Sequence, residues 1–179
     1  MYEVEVKVRA DHAAVREQLD AQNATPVDHV TQIDTYYSAP HRDFAETDEA
    51  LRIREETPRE SNSFTEVTYK GPLADAKSKT RREIETVVEC ADDMGAILEA
   101  LDFEPAAEVR KERERFALDG YTVTLDSVEG LGEFVEVETE AEDIDPAREG
   151  AFDVLRSLGL DPDDQIQTSY LGLLLASDE

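Results

Sequence analysis

An α+β fold with a mostly antiparallel sheet is predicted by three features of the chain. Apolar and polar residues alternate with period two through eight segments, near 2–9, 31–37, 50–56, 64–70, 80–89, 108–117, 121–126 and 133–140. Helical spacing is confined to 11–22, 92–101, 146–158 and the tail QTSYLGLLLASDE. No long linker divides the 179 residues, which read as a single domain (1–179) with enough chain for a core or a closed sheet.

The opening MYEVEVKV sets Tyr2, Val4, Val6 and Val8 on one strand face and Glu3, Glu5, Lys7 and Arg9 on the other. Asp11 stands where an N-cap opens the first helix. After the strand containing QIDTYY, ALRIREE places Arg52 and Arg54 opposite Leu51 and Ile53. TPRESNS (57–63) and GPLADAKSK (71–79) have loop composition, and TEVTYK between them ends in Lys70, in phase with Glu66 and Thr68. In KTRREIE the in-phase residues are Lys79, Arg81, Glu83 and Glu85; Asp92 is the expected cap of the next helix. VRKERERF aligns Lys111, Arg113 and Arg115, and Asp119-Gly120 signals a tight hairpin before the strand ending at Asp126. The last strand carries Glu136 and Glu138 in phase. The tail suits a short final helix, although 165–175 also repeats the spacing of a strand: Gln32, Ile33, Thr35 and Tyr37 recur as Gln165, Ile166, Thr168 and Tyr170, at the offset that separates Glu3-Val4-Glu5 from Glu136-Val137-Glu138. That recurrence suggests two related halves.

With 44 acidic against 18 basic residues the net charge is -26, a field that repels nucleic acid and anionic membrane surfaces. No segment has the length of a membrane span, and the N-terminus shows no apolar signal region, so a cytoplasmic protein is expected. Such acidity, with five lysines and no tryptophan, resembles that of halophilic proteins. One cysteine, Cys90, excludes an intramolecular disulfide and reads as packed, and His12, His29 and His41 read as surface residues.

Against this acidity, ten of the 18 basic residues fall in the in-phase strand sets: Lys7, Arg9, Arg52, Arg54, Lys70, Lys79, Arg81, Lys111, Arg113 and Arg115. A solvated outer face would follow the acidic trend of the rest. Converging cations inside a closed sheet would repel one another unless an anion lay between them. Arg forks and Lys ammonium groups suit phosphate oxygens. Carboxylates beside them suit Mg²⁺ or Mn²⁺. The pattern therefore points to a metal–polyphosphate site.

These segments resemble the CYTH family, the triphosphate tunnel metalloenzymes, in order along the chain: EVEVKV, QIDTYYSAPHRDFAETDEALRIRE, TYKGP, KTRREIE, VRKERERF, LDSVEGLGEFVEVE and TSYLGLL. The likeness is greatest to class IV adenylate cyclases of archaeal type. It implies a closed eight-stranded antiparallel β-barrel with peripheral helices, a charged tunnel, and Mg²⁺ or Mn²⁺ as cofactor. It further implies catalytic and metal-holding roles for Glu3, Glu5, Glu136 and Glu138, with Glu83, Glu85 and Asp126 as further metal ligands. Lys7, Arg52, Arg54, Lys70, Arg81, Lys111 and Arg113 would bind the triphosphate. Asp34, Tyr36 and Tyr170 match family positions that can equally be structural. The implied activity is conversion of ATP to cyclic AMP and pyrophosphate. The alternatives are hydrolysis of tripolyphosphate or of a nucleoside or thiamine triphosphate, or binding of such an anion without turnover. The partner is a small-molecule triphosphate, and a homodimer is compatible with the family.

Overall fold

The computed structural model describes residues 1–177. Among these, nine strands form one antiparallel sheet: β1 (Tyr2–Arg9), β2 (Thr25–Ser38), β3 (Ala50–Pro58), β4 (Phe64–Lys70), β5 (Lys79–Arg81), β6 (Glu83–Val88), β7 (Glu104–Leu118), β8 (Tyr121–Val128) and β9 (Gly132–Ala141). Their order is β5-β1-β9-β8-β7-β2-β3-β4-β6. The two edge strands, β5 and β6, are consecutive in the chain and separated only by Arg82, so the sheet curls into a nearly closed barrel. The expected count of eight becomes nine because Arg82 breaks the predicted strand 80–89: β5 pairs with β1 and β6 with β4. β2 and β7 are longer than predicted and pair along almost their whole length. Asp119 and Gly120 both have positive φ, 53° and 83°, and close the β7–β8 hairpin with Leu118 opposite Tyr121.

The helices are α1 (His12–Ala21), α2 (Phe44–Thr47), α3 (Ala91–Ala100), α4 (Ile144–Ser157) and α5 (Tyr170–Ser177). None is long and apolar enough to cross a membrane. Asp11 caps α1, accepting from the Ala13 N–H at 2.9 Å. At α3 the cap is Cys90 rather than Asp92: its exposed sulfur accepts from the Asp93 N–H. His12 is buried, not at the surface, because it opens α1 on the inner side and its Nε2 meets the Phe134 carbonyl at 2.9 Å. The Gln-Ile-x-Thr-x-Tyr recurrence is one of sequence only: its first copy lies in β2, its second in the extended stretch that leads into α5.

The main apolar core lies outside the barrel wall. Val6 and Val8, Val123 and Leu125, and Val135 and Val137 face outward from β1, β8 and β9. Val15 and Leu19 of α1 cover them, with Ala151, Val154 and Leu155 of α4. The other face of the same strands is thereby turned inward, and it carries the charges. At one end the in-phase inner positions become apolar: Val109, Val128 and Phe134 pack with Tyr170 of α5 and stopper the barrel.

Candidate active site: a carboxylate wall facing a cation wall

The barrel encloses a cavity of about 500 Å³. On its lining are Glu3, Glu5, Glu83, Glu85, Glu136 and Glu138, and with them Arg52, Arg54, Lys70, Lys111 and Arg113. Strand register explains the grouping. β1 lies against β9 with Glu5 opposite Glu138 and Lys7 opposite Glu136, so two Glu-x-Glu segments merge into one acidic patch. The cations come from β3, β4 and β7, which occupy the other side of the strand order.

Carboxylate oxygens of Glu5, Glu136 and Glu138 lie within 4.8 Å of one another. Burial, with the neighbouring Glu136 charge, pushes the Glu5 carboxyl up to about 7. Burial, Glu138 and Glu83 push Glu3 up to about 9. Glu138 is raised by burial and by Glu136. Burial acts against the Glu136 charge too, but Arg113, Lys79 and Lys7 outweigh it and hold this carboxyl well below the ordinary range. Glu5 Oε1 is buried and has no hydrogen-bond partner among the described residues. Three converging carboxylates with an orphaned oxygen fit a hard divalent cation.

On the cation wall Asp34 of β2 is the organiser. It is fully buried, accepts from Arg54 Nε at 2.7 Å and Nη2 at 2.8 Å, and lies 3.3 Å from Lys111 Nζ. Arg52 approaches it at 4.0 Å and keeps a buried Nε without a partner. Arg113 donates twice to Asp126 at 2.7 Å and once to Glu136 at 3.1 Å, linking the two walls. Burial drives the Lys111 ammonium down to about 7; Asp34 and Asp126 oppose that shift, and Arg54 and Arg113 add to it.

Three expected site residues are placed otherwise. Asp126 is inward, with both oxygens engaged by Arg113 and one also by the Tyr170 hydroxyl at 2.7 Å, and it is not one of the three converging carboxylates. Lys7 is fully buried beneath the C-terminal segment; its Nζ donates to the Thr168 carbonyl at 2.6 Å and sits 4.3 Å over the Tyr170 ring. Arg81 turns out of the cavity to the Asp48 carboxylate at 3.0 Å and the Asp48 and Gly71 carbonyls. Lys79 and Arg115, which had only strand phase to mark them, do line the cavity, and Lys79 Nζ lies 3.7 Å from Glu5. Glu56 went unnoticed although it continues the Arg52–Arg54 phase; it holds Gln32 and Arg115 at the cavity edge.

The CYTH domain model matches residues 1–170. A Methanocaldococcus jannaschii protein, MJ0240, named as a provisional adenylate cyclase, is 41% identical over 177 residues, 97% of this chain and 98% of its own. The structure of the PH1819 protein from Pyrococcus horikoshii superposes with a TM-score of 0.89 at 39% identity, covering 98% of this chain and 99% of that one. HpAC1 from Hippeastrum, titled as a provisional adenylyl cyclase with a dominant triphosphatase activity, shares the fold at a TM-score of 0.71 and 17% identity, over 98% of this chain and 95% of its own. The chain belongs to the CYTH family, whose members are adenylate cyclase-like enzymes or triphosphatases.

Proposed function

We propose that the protein converts ATP to cyclic AMP and pyrophosphate with Mg²⁺ or Mn²⁺, the substrate's triphosphate lying between the two walls of the cavity. The observation that carries this reading is the carboxylate trio Glu5, Glu136 and Glu138 in one chamber with Arg52, Arg54, Lys70, Lys111 and Arg113. Glu3 and Glu83 act on Glu138 from nearby, and Glu85 lines the same cavity 3.8 Å from Arg52 Nη2. A divalent cation on these carboxylates would neutralise phosphate oxygens and raise the nucleophilicity of the attacking oxygen. The protein's own part is placement and charge compensation: Arg52 and Arg54 present guanidinium forks, and Lys70 and Lys111 present point charges. Arg113, already shared between Asp126 and Glu136, ties the phosphate-binding side to the carboxylates. In the cyclase reaction the ribose 3′-oxygen attacks the α-phosphorus and pyrophosphate leaves. The relationship to MJ0240 favours this choice.

A second reading is hydrolysis, since the same barrel in HpAC1 is described with dominant triphosphatase activity. Product analysis separates the two. In high potassium chloride, suited to a protein of net charge -26, ATP with Mg²⁺ or Mn²⁺ is expected to yield cyclic AMP and pyrophosphate. Orthophosphate, with tripolyphosphate the best substrate, would overturn the cyclase assignment. Protection from heat by tripolyphosphate with no turnover of any triphosphate would leave only a binding protein.

Lys111 gives this reading a pH signature. Its ammonium, near pKa 7 in the free protein, faces Asp34, Arg54, Arg113, Asp126 and the Tyr170 ring. A bound polyanion favours the charged form, so metal-free binding of tripolyphosphate takes up a proton above pH 7. Affinity should fall between pH 7.5 and 9 by as much as roughly tenfold per unit. Lys111→Ala should weaken binding and flatten that slope. Calorimetric titration in two buffers of different ionisation enthalpy reads both; a pH-independent wild-type affinity would refute the role given to Lys111.

A further inference from the structure

β5 is the shortest strand of the barrel, three residues at the end of the strand order beside β1. So short an edge strand has little backbone pairing to hold it. It nevertheless carries Lys79, whose Nζ lies 3.7 Å from Glu5 of the carboxylate trio. What fixes it lies on the other side of the wall. Lys79 lines the cavity, so Thr80 turns outward, and both Thr80 and Ser78 are fully buried there. Ser78 Oγ donates to Asp75 Oδ2 at 2.6 Å, which leaves the Thr80 hydroxyl, also at 2.6 Å, to donate to Ser78. The same Asp75 oxygen accepts from Arg148 Nη1 at 2.8 Å. Arg148 is the charged member of the buried face of α4, among Ala147, Ala151, Val154 and Leu155. Asp145 approaches its Nη1 at 3.0 Å, while its buried Nε has no hydrogen-bond partner among the described residues.

A buried charge pair adds little net stability over apolar side chains of the same volume, so such a chain of contacts is better suited to fixing a position. We propose that Arg148 is a positioning residue for the anion site: through Asp75, Ser78 and Thr80 it holds β5 so that the Lys79 ammonium faces the cavity beside Glu5. The inference rests on the reading of the barrel cavity as a triphosphate site. Arg148 itself is outside the cavity lining and acts only through Lys79. α4 thereby has two tasks. Its apolar side chains cover the outer faces of β1 and β9, and its arginine sets a cation on the inner side of the same wall.

Calorimetric titration of metal-free protein with tripolyphosphate, in EDTA and one fixed potassium chloride concentration, tests this with single and double variants. Lys79→Met should weaken binding by about tenfold, the loss of one charge-assisted contact. Arg148→Met keeps an unbranched stem and removes the charge; it should weaken binding by about threefold or more. In the Lys79→Met background Arg148→Met should leave the affinity unchanged, because the group it positions is gone. The melting temperature should fall with Arg148→Met in both backgrounds alike. Arg148→Lys, which keeps a cation for Asp75, should restore most of the affinity. Ser78→Ala cuts the same chain of contacts at a small residue and spares the Arg148–Asp75 pair. It should give the same pattern of affinities even where Arg148→Met unfolds below the assay temperature. Equal weakening by these changes with and without Lys79, or a lower melting temperature at unchanged affinity, would overturn the positioning role and leave the triphosphate site standing. An affinity unmoved by Lys79→Met would overturn it at Lys79. A wild type that binds no tripolyphosphate would remove the triphosphate site and the inference together.

Discussion

Replacing Glu5 or Glu138 with alanine is expected to lower metal-dependent turnover by at least about a hundredfold, more than the loss usual for removing a residue that only supports a metal ligand. The stability of the same variants should move the other way. In metal-free protein Glu5 is a buried carboxyl raised to about 7 by desolvation and by Glu136, and Glu3 beside it is raised to about 9. Both values lie above the ordinary 4.5, so the fold favours their protonated forms. Their stabilising contribution is complete below about pH 4.5 and is lost as pH rises through about 7 for Glu5 and on towards 9 for Glu3. Metal-free Glu5→Ala should therefore melt at or above the wild-type temperature at pH 8. Adding Mg²⁺ or Mn²⁺ should reverse the order, because only the wild type keeps the full carboxylate set. Melting scans with and without metal check this. Near-normal turnover in both variants, or a metal-induced rise in melting temperature as large in Glu5→Ala as in the wild type, would sink the metal assignment.

Strand alternation made much of this site legible. In-phase residues of one strand share a face whatever the tertiary fold, and cations recurring on such faces in so acidic a chain have no reason to accumulate there by surface adaptation. Sequence alone does not say which face is inside. In this barrel the apolar face looks outward, beneath α1 and α4, and the charged face finds its counter-ions on nearby strands, Arg54 with Asp34 and Arg113 with Asp126 and Glu136. Side-chain reach was harder to read. Arg81 has inward phase, yet its guanidinium reaches Asp48, distant in sequence and placed by a loop. Asp126 was decipherable: once Asp119-Gly120 sets Leu118 opposite Tyr121, counting back pairs Arg113 with Asp126 and predicts the ion pair that occupies it. The burial of Lys7 was not, because the lid over it comes from Thr168 and Tyr170 at the far end of the chain.

The inward-facing charges also explain why the barrel needs no filled interior. Charges on neighbouring strands form a mutually compensating set along the wall. Arg113 spans Asp126 and Glu136, Lys70 meets Glu83 and Lys79 meets Glu5, while the entropy of ordering these long side chains is offset by packing outside the wall. Among the described charged groups lining the cavity the compensation is incomplete at two atoms, the orphaned Glu5 Oε1 and Arg52 Nε. Those are the places where a cation and an anion would bring the most.

Asp34→Asn is expected to be the most destabilising substitution in the cavity. Asp34 is fully buried and stands under Arg52, Arg54 and Lys111, whose charges hold its carboxyl well below the ordinary range against the opposing effect of burial. Neutralising it leaves three converging cations in a low-dielectric wall. Breaking a buried ion pair on one side costs about 3–5 kcal/mol, which for a chain of this size lowers the melting temperature by roughly 6–20 °C. Lys111, already lowered to about 7, would shed its proton and recover part of the loss. The sign with pH follows from the depressed carboxyl: Asp34 contributes its full stabilisation above about pH 4 and loses it only as pH falls through its lower folded value. The gap between wild type and variant should thus persist across neutral pH and close only in acid. Tripolyphosphate should narrow it at pH 7 by supplying the missing negative charge to the same three cations. A variant that melts within about 2 °C of the wild type, a shift of less than about 1 kcal/mol, would show that the cation wall is held by strand geometry and needs no internal counter-ion.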